Sequence, residues 1–252
     1  MLTSGTLKLA VTAVVAVPAL AWPSVSASPV VAAGSAAAAP RPLTSTGAGL
    51  RRQTVTVGVP AGWRMSLADR DPRYVDTVVV PQGFYTQDKP TAVTFTPALG
   101  YLGTAAPVTI RVTGPGGQTR AVTYTPTVTR PPAPDAPDIT SSGPARSAQS
   151  VTFTIPAGGS IGYVDADGRD LADPTVPQGG FALAAASSIS TVPGRPFDPT
   201  LIGAIGTVIF TPRRGVTGAV PAIRYRITDA YRQTSVGRYT PTITGYPRPA
   251  AS

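Results

Sequence analysis

Apolar residues in this chain recur at every second position in short runs. Val55, Val57 and Val59 alternate with Thr and Gly, and Val93 with Phe95, then Val108, Ile110 and Val112, then Val122 and Tyr124 follow the same rule. The pattern returns as Val151, Phe153 and Ile155, then Val208 and Phe210, then Ile223, Tyr225 and Ile227, and last Val236 with Tyr239. Period two sends alternate side chains to one face of an extended backbone, so these runs predict half-buried antiparallel strands with Thr or Arg outward. Pro-Ala-Gly, Gly-Pro-Gly-Gly, Asp-Gly and Pro-Gln-Gly between them are turn chemistry.

The chain repeats itself once. Gln53 to Gly62 recurs as Gln149 to Gly158, and Val80-Pro81-Gln82-Gly83 as Val176-Pro177-Gln178-Gly179, both at an offset of 96. Val93 to Pro97 matches Val208 to Pro212, and Tyr124 to Val128 matches Tyr239 to Ile243, at an offset of 115, so the second copy carries nineteen extra residues between Gly180 and Gly206. Six or seven short strands per copy predict an all-β chain: two tandem antiparallel β-sandwich repeats joined by a Pro-rich linker. The expected boundaries are a first repeat over 47–128, a linker over 129–145, a second repeat over 146–245 with its insertion, and a tail over 246–252. Seventeen linker residues with five prolines would span roughly 50 Å as polyproline II at about 3.1 Å each. Pro97 and Pro212 should end their strands, and Pro126 and Pro241 remove a donor from the last strand of each copy.

The run Val93-Thr94-Phe95-Thr96-Pro97, followed by Gly103 to Thr113, Gly117-Gln118-Thr119 and Tyr124-Thr125-Pro126-Thr127-Val128, resembles the CshA-type fibril repeat of bacterial surface adhesins. The resemblance covers most of Gln53 to Val128 and, with more substitutions, Gln149 to Ile243. It implies modules strung in tandem as a cell-surface fibril, hence a non-catalytic structural or adhesive role. Family members carry many repeats, a separate adhesive region and a wall-sorting tail, so with two repeats the fibril role rests on the repeat alone.

Before the first repeat, Lys8 precedes fourteen mostly apolar residues, Leu9 to Trp22, and a small-residue exit at Ser24-Val25-Ser26-Ala27. This predicts a secretory leader over 1–27, since fourteen helical residues rise only about 21 Å against a hydrocarbon core of roughly 30 Å. Residues 28–46, rich in Ala, Pro, Ser and Val, are expected to be a disordered tether. Location is therefore expected to be secreted or cell-surface associated.

Composition narrows the chemistry. Pro (29) and Gly (26) are abundant, every acid is Asp, Lys8 and Lys89 are the only lysines, and Asn, Glu, His and Cys are absent. That removes Ser-His-Asp and Cys-His nucleophiles and the usual nitrogen and sulfur metal ligands, so no catalytic residue, cofactor or metal is assigned. Asp165-Ala166-Asp167-Gly168-Arg169-Asp170 starts like a calcium loop but lacks the closing Glu, and a β-turn explains it. Lys89 is too isolated for an isopeptide bond in each copy.

The chain carries 21 Lys+Arg against 12 acids, a net charge of +9. On the run Ile223 to Ile227 the apolar residues face inward, leaving Arg224 and Arg226 on the outer face, with Arg111 at the position matching Arg226. These three are the candidate polyanion-binding residues, with an anionic wall polymer or another surface protein as partner. Nucleic acid is not expected as the natural partner, because Trp63 is the one tryptophan outside the leader and stacking platforms are scarce.

Overall fold

The computed structural model of the protein describes residues 41–73, 76–189 and 195–245. The expected leader over 1–27, most of the expected tether and the tail over 246–252 lie outside the described residues. The first module holds β1 (Leu43–Ala48), β2 (Gln53–Thr56), β3 (Arg64–Leu67), β4 (Thr77–Val80), β5 (Gly83–Lys89), β6 (Ala92–Pro97), β7 (Gly103–Thr104), β8 (Val108–Thr113) and β9 (Thr119–Thr129). The second holds β10 (Ile139–Pro144), β11 (Gln149–Ile155), β12 (Ser160–Val164), β13 (Asp170–Leu171), β14 (Thr175–Val176), β15 (Gly179–Ile189), β16 (Ile202–Pro212), β17 (Gly218–Ala219), β18 (Ile223–Thr228) and β19 (Thr234–Thr244).

Each module is a two-sheet sandwich. In the first, one sheet runs β1-β9-β8-β3 with β7 also on β9, and the other runs β2-β6-β5-β4. The second repeats this as β10-β19-β18-β12-β13 with β17 on β19, facing β11-β16-β15-β14. The alternating residues fill the space between sheets. Tyr85, Val93, Phe95, Ile110 and Tyr124 are fully buried in one module and Val208, Phe210, Tyr225 and Tyr239 in the other. Each such side chain contributes on the order of 1.5–3 kcal/mol. The recurrent Pro-Gln-Gly has a steric cause: a Cβ on Gly83, whose φ is +146°, would stand 2.1 Å from the Thr96 carbonyl oxygen, and one on Gly179 would stand 2.3 Å from that of Thr211.

Two sequence expectations change. First, not every pairing is antiparallel: β1 lies parallel to β9, and β10 parallel to β19, with the remainder of each module as the crossover that a parallel pair requires. Second, β1 begins inside the stretch expected to be a tether, and β10 occupies the last third of the expected linker. Only 130–138 therefore connect β9 to β10, and they run along the second module: Tyr225 Oη donates to Pro137 O, and the Gln233 amide donates to Pro131 O at 2.9 Å. The 50 Å free spacer is thereby replaced by a strapped connection. Pro126 and Pro241 lie, as expected, within the last strand of each module, β9 and β19. Pro126 falls where β8 stops and β7 starts, so its missing N–H interrupts no ladder bond, while its carbonyl accepts from Ala105 N–H at 3.0 Å. Pro97 and Pro212 end β6 and β16.

The core is rich in phenols held neutral by burial. Desolvation raises Tyr85, Tyr124, Tyr163 and Tyr239 above the ordinary tyrosine range, and raises Tyr225 to about 12, there with further help from Asp138 and Asp135. Because the folded values exceed the unfolded one, this stability is complete below about pH 10 and is lost as pH rises through the native values. No His, Glu or Cys side chain titrates at lower pH. The melting temperature is expected to stay level from about pH 5 to 9 and drop steeply above about pH 10; a drop centred near neutrality would contradict this reading.

Candidate functional site

The parallel strand pairs define the mechanical ends of each module. Leu43 is level with Tyr124 and Ala48 with Thr129, over six consecutive partners, a contact about 20 Å long at roughly 3.3 Å per residue. The chain therefore enters at one end of the pair and leaves at the other. Tension on the chain pulls β1 and β9 past each other along their axes and loads all six rungs together. The second module repeats the arrangement from Ile139↔Tyr239 to Pro144↔Thr244.

Both clamps are locked by the same three side chains. Ser45 Oγ donates to Gln53 Oε1 at 2.5 Å and accepts from Tyr124 Oη at 2.7 Å. Gln53 Nε2 donates to Thr127 O at 3.0 Å, and the Tyr124 phenol also reaches Gln53 O at 3.1 Å. Ser141, Gln149 and Tyr239 rebuild the lock, with Ser141–Tyr239 at 2.7 Å and Gln149 Nε2 to Thr242 O at 3.0 Å. Gln53 and Gln149 are 5% and 6% exposed, so their amides need these partners. The room comes from glycine: a Cβ on Gly47 would sit 2.8 Å from Gln53 Cγ, and one on Gly143 2.9 Å from Gln149 Cγ. Sequence reading passed over Ser45 and Ser141. The signal was there: Leu43-Thr44-Ser45-Thr46-Gly47 returns as Ile139-Thr140-Ser141-Ser142-Gly143 at the same offset of 96.

The insertion lengthens one hairpin. β15 and β16 pair without a break from Gly179↔Pro212 to Ile189↔Ile202, whereas β5 and β6 lose regular register after Thr86↔Thr94. The far end of this hairpin meets the first module: Asp198 pairs with Arg52, and Arg195 with Asp88 at 3.2 Å. Asp198 is also held by Thr200, whose N–H donates at 2.9 Å and whose hydroxyl donates at 2.6 Å. A recess of about 260 Å³ between Phe84, Thr86 and Thr96 on one side and Arg195 and Asp198 on the other marks the contact. Thr96 faces away from its own core yet is 1% exposed, while its counterpart Thr211 is exposed. The insertion thus ties the second module to the first.

The candidate arginines are not gathered into one site. Arg111 is exposed on β8, opposite Ala121 and Ser66. Arg224 and Arg226 lie on the matching sheet of the other module and hold its acidic turn: Arg224 donates to Ala166 O at 3.0 Å, and Arg226 donates to Gly168 O at 3.1 Å and pairs with Asp170. The turn is closed by Arg169 N–H to Asp165 Oδ1 at 2.8 Å and an Arg169–Asp167 ion pair at 2.7 Å. Two features that look separate in the sequence are one local structure. Among the described residues no cluster of three or more acidic, His or Cys side chains could hold a metal.

The lock makes a direct prediction. Tyr124→Phe keeps the ring and removes the phenol, and is expected to destabilise the first module by about 1–2 kcal/mol in chemical denaturation. Tyr101→Phe, whose phenol donates to Thr104 O in an exposed contact, is expected to stay within about 0.5 kcal/mol. Equal effects would remove the lock from the account.

No curated protein matches the chain. Among solved structures, the bradyzoite specific antigen BSR4 of Toxoplasma gondii aligns over 86% of this chain and 94% of its own, at 10% identity and a TM-score of 0.36. The zebrafish RET cadherin-like domains align over 74% of this chain and 42% of theirs, at 8% identity and a TM-score of 0.29. Both likenesses are too loose to bear on function. No helix among the described residues is long and apolar enough to cross a membrane. Residues 36–128 match the surface adhesin CshA repetitive domain, so the family resemblance read from Val93 to Val128 and the family match fall on the same module.

Proposed function

We propose that the protein is a non-catalytic, extracellular structural element of a cell surface, two adhesin-type repeats in series that transmit tension without unfolding. The observation that supports this reading best is the parallel pairing of first and last strand in both modules. A chain that carries load through its ends gains resistance when its terminal strands are sheared, because every rung must fail at once. The family match over residues 36–128 agrees with a surface repeat. The strapped connection at 130–138 and the hairpin contact through Arg52 and Asp198 keep the second module docked on the first, as a stiff series element needs.

A second reading has a specific observation behind it: Arg224 stands directly across from Arg238 on β19, adding a cation to the outer sheet. On this reading the protein coats its envelope by pairing Arg111, Arg224 and Arg226 with an anionic polymer, and retention is screened by salt. Fractionation of producing cells into medium, salt-washable envelope and salt-resistant wall separates the two. The structural role predicts recovery in the salt-resistant fraction, unchanged by Arg224→Ser with Arg226→Ser. Release by moderate salt, abolished retention in that variant, or recovery wholly in the medium would contradict it.

A further inference from the structure

The first module contains a cleft whose polar chemistry the matching positions of its partner repeat do not carry. It measures about 540 Å³ and opens between the end of β3 and the β5–β6 hairpin, with Trp63, Arg64, Asp76, Gln87, Asp88 and Lys89 on its walls. At the repeat offset of 96, Trp63, Arg64, Gln87, Asp88 and Lys89 correspond to Gly159, Ser160, Leu183, Ala184 and Ala185. Every side chain with an aromatic face, a charge or an amide has been replaced by a small or apolar one. The strands themselves are kept, since Met65 and its counterpart Ile161 are both core residues. The fold therefore does not require this chemistry.

The charges of the cleft are unevenly satisfied. Asp76 is paired with Arg70 at 2.5 Å and Asp88 with Arg195 at 3.2 Å. Arg64 and Lys89 are exposed and form no ion pair among the described residues. Arg120 stands 5.1 Å from the centre of the Trp63 ring but does not line the cleft. The cleft thus has positive charge left over, beside an indole and a proline wall from Pro60 and Pro90. Its two carboxylates keep lone pairs for further donors, since a carboxylate accepts about four hydrogen bonds.

We infer that this cleft binds an acidic saccharide, a sugar ring bearing a carboxylate. Its anionic group would meet Arg64 and Lys89, its hydroxyls would donate to Asp76 and Asp88 and to the Gln87 carbonyl, and its apolar face would lie against Trp63. An acidic peptide fits less well, because its carboxylate side chains only accept hydrogen bonds and offer no hydroxyl to donate to Asp76 and Asp88. A neutral sugar leaves both cations unanswered. The inference does not depend on the tension-bearing role: a surface repeat with or without this cleft would still carry load.

The test is calorimetric titration of the full chain with a galacturonic acid tetramer, with a galactose tetramer and poly-aspartate of similar length as comparison probes. The expected result is binding of the uronate, with the other two weaker by about tenfold or more, the effect of one charge-assisted hydrogen bond. Lys89→Gln and Arg64→Gln, both exposed and outside the core, are each expected to weaken it about tenfold. Trp63 emission, read in a chain carrying Trp22→Phe, should shift on binding. No uronate binding, equal binding of poly-aspartate or of the neutral tetramer, or binding lost in the Arg224→Ser, Arg226→Ser variant but kept in Lys89→Gln, would each overturn the inference.

Discussion

The structure depends on how each module joins its beginning to its end. The opening strand is laid parallel to the closing strand, and a half-buried serine with a buried glutamine and tyrosine holds the pair against the second sheet. Parallel pairing is not demanded by sandwich packing, since the other strand neighbours in both modules are antiparallel. It sets the direction in which an external force meets the hydrogen bonds. The force path runs from β1 to β9, through 130–138, and from β10 to β19. The aromatic cores touch that path only at Tyr124 and Tyr239, which pack on Tyr85 and Phe181 and at the same time close the locks.

Between the modules the design is asymmetric. The prolines of the connection are held by Gln233 and Tyr225, and Asp229, buried at 7% exposure, orders the turn that presents Gln233 by accepting from the N–H groups of Tyr231 and Gln233 at 2.9 and 2.8 Å. The lengthened β15–β16 hairpin supplies a second contact through ion pairs to Arg52 and Asp88. Of these, the Asp198–Arg52 pair matters more, because its carboxylate is largely removed from water and would be left uncompensated if Arg52 were lost. The Arg195–Asp88 pair is half exposed and worth at most about 1 kcal/mol. The first module thus differs from the second in two ways, a covered outer face and a charged cleft, although both grow from one strand plan.

Much of this plan was legible from alternation alone. β8, β9 and β18 carry Val, Ile and Tyr at every second position, and burial follows that alternation; on β19 the expectation for Val236 fails, because it lies three residues from Tyr239, out of phase with the buried face, and is 50% exposed. β1 and β10 were not legible because Thr-Ser-Thr-Gly and Thr-Ser-Ser-Gly contain too little apolar surface to announce a strand; partner hydrogen bonds and the lock place them. The hairpin of the insertion was missed for a related reason, since Ala182 to Ser188 has low intrinsic strand preference and gains its form by pairing with β16. The arginines illustrate the opposite limit. Their outward direction could be read from period two, but their engagement with the Asp165–Asp170 turn depends on sheet order, which no local pattern states. The cleft was scattered in the same way, with Trp63 and Lys89 separated by two strands.

If the terminal strand pairs, sheared in parallel, set the strength of the modules, the response to force must depend on them. Single-molecule pulling on the chain by its two ends tests this dependence most directly. Two unfolding events are expected at forces typical of sheared strands, with a lower force for one event when Ser45→Ala with Gln53→Ala loosens the first lock and the other event unchanged. Unfolding of both modules at the low forces of strands peeled apart one rung at a time, or no change in either event on removing that lock, would contradict it.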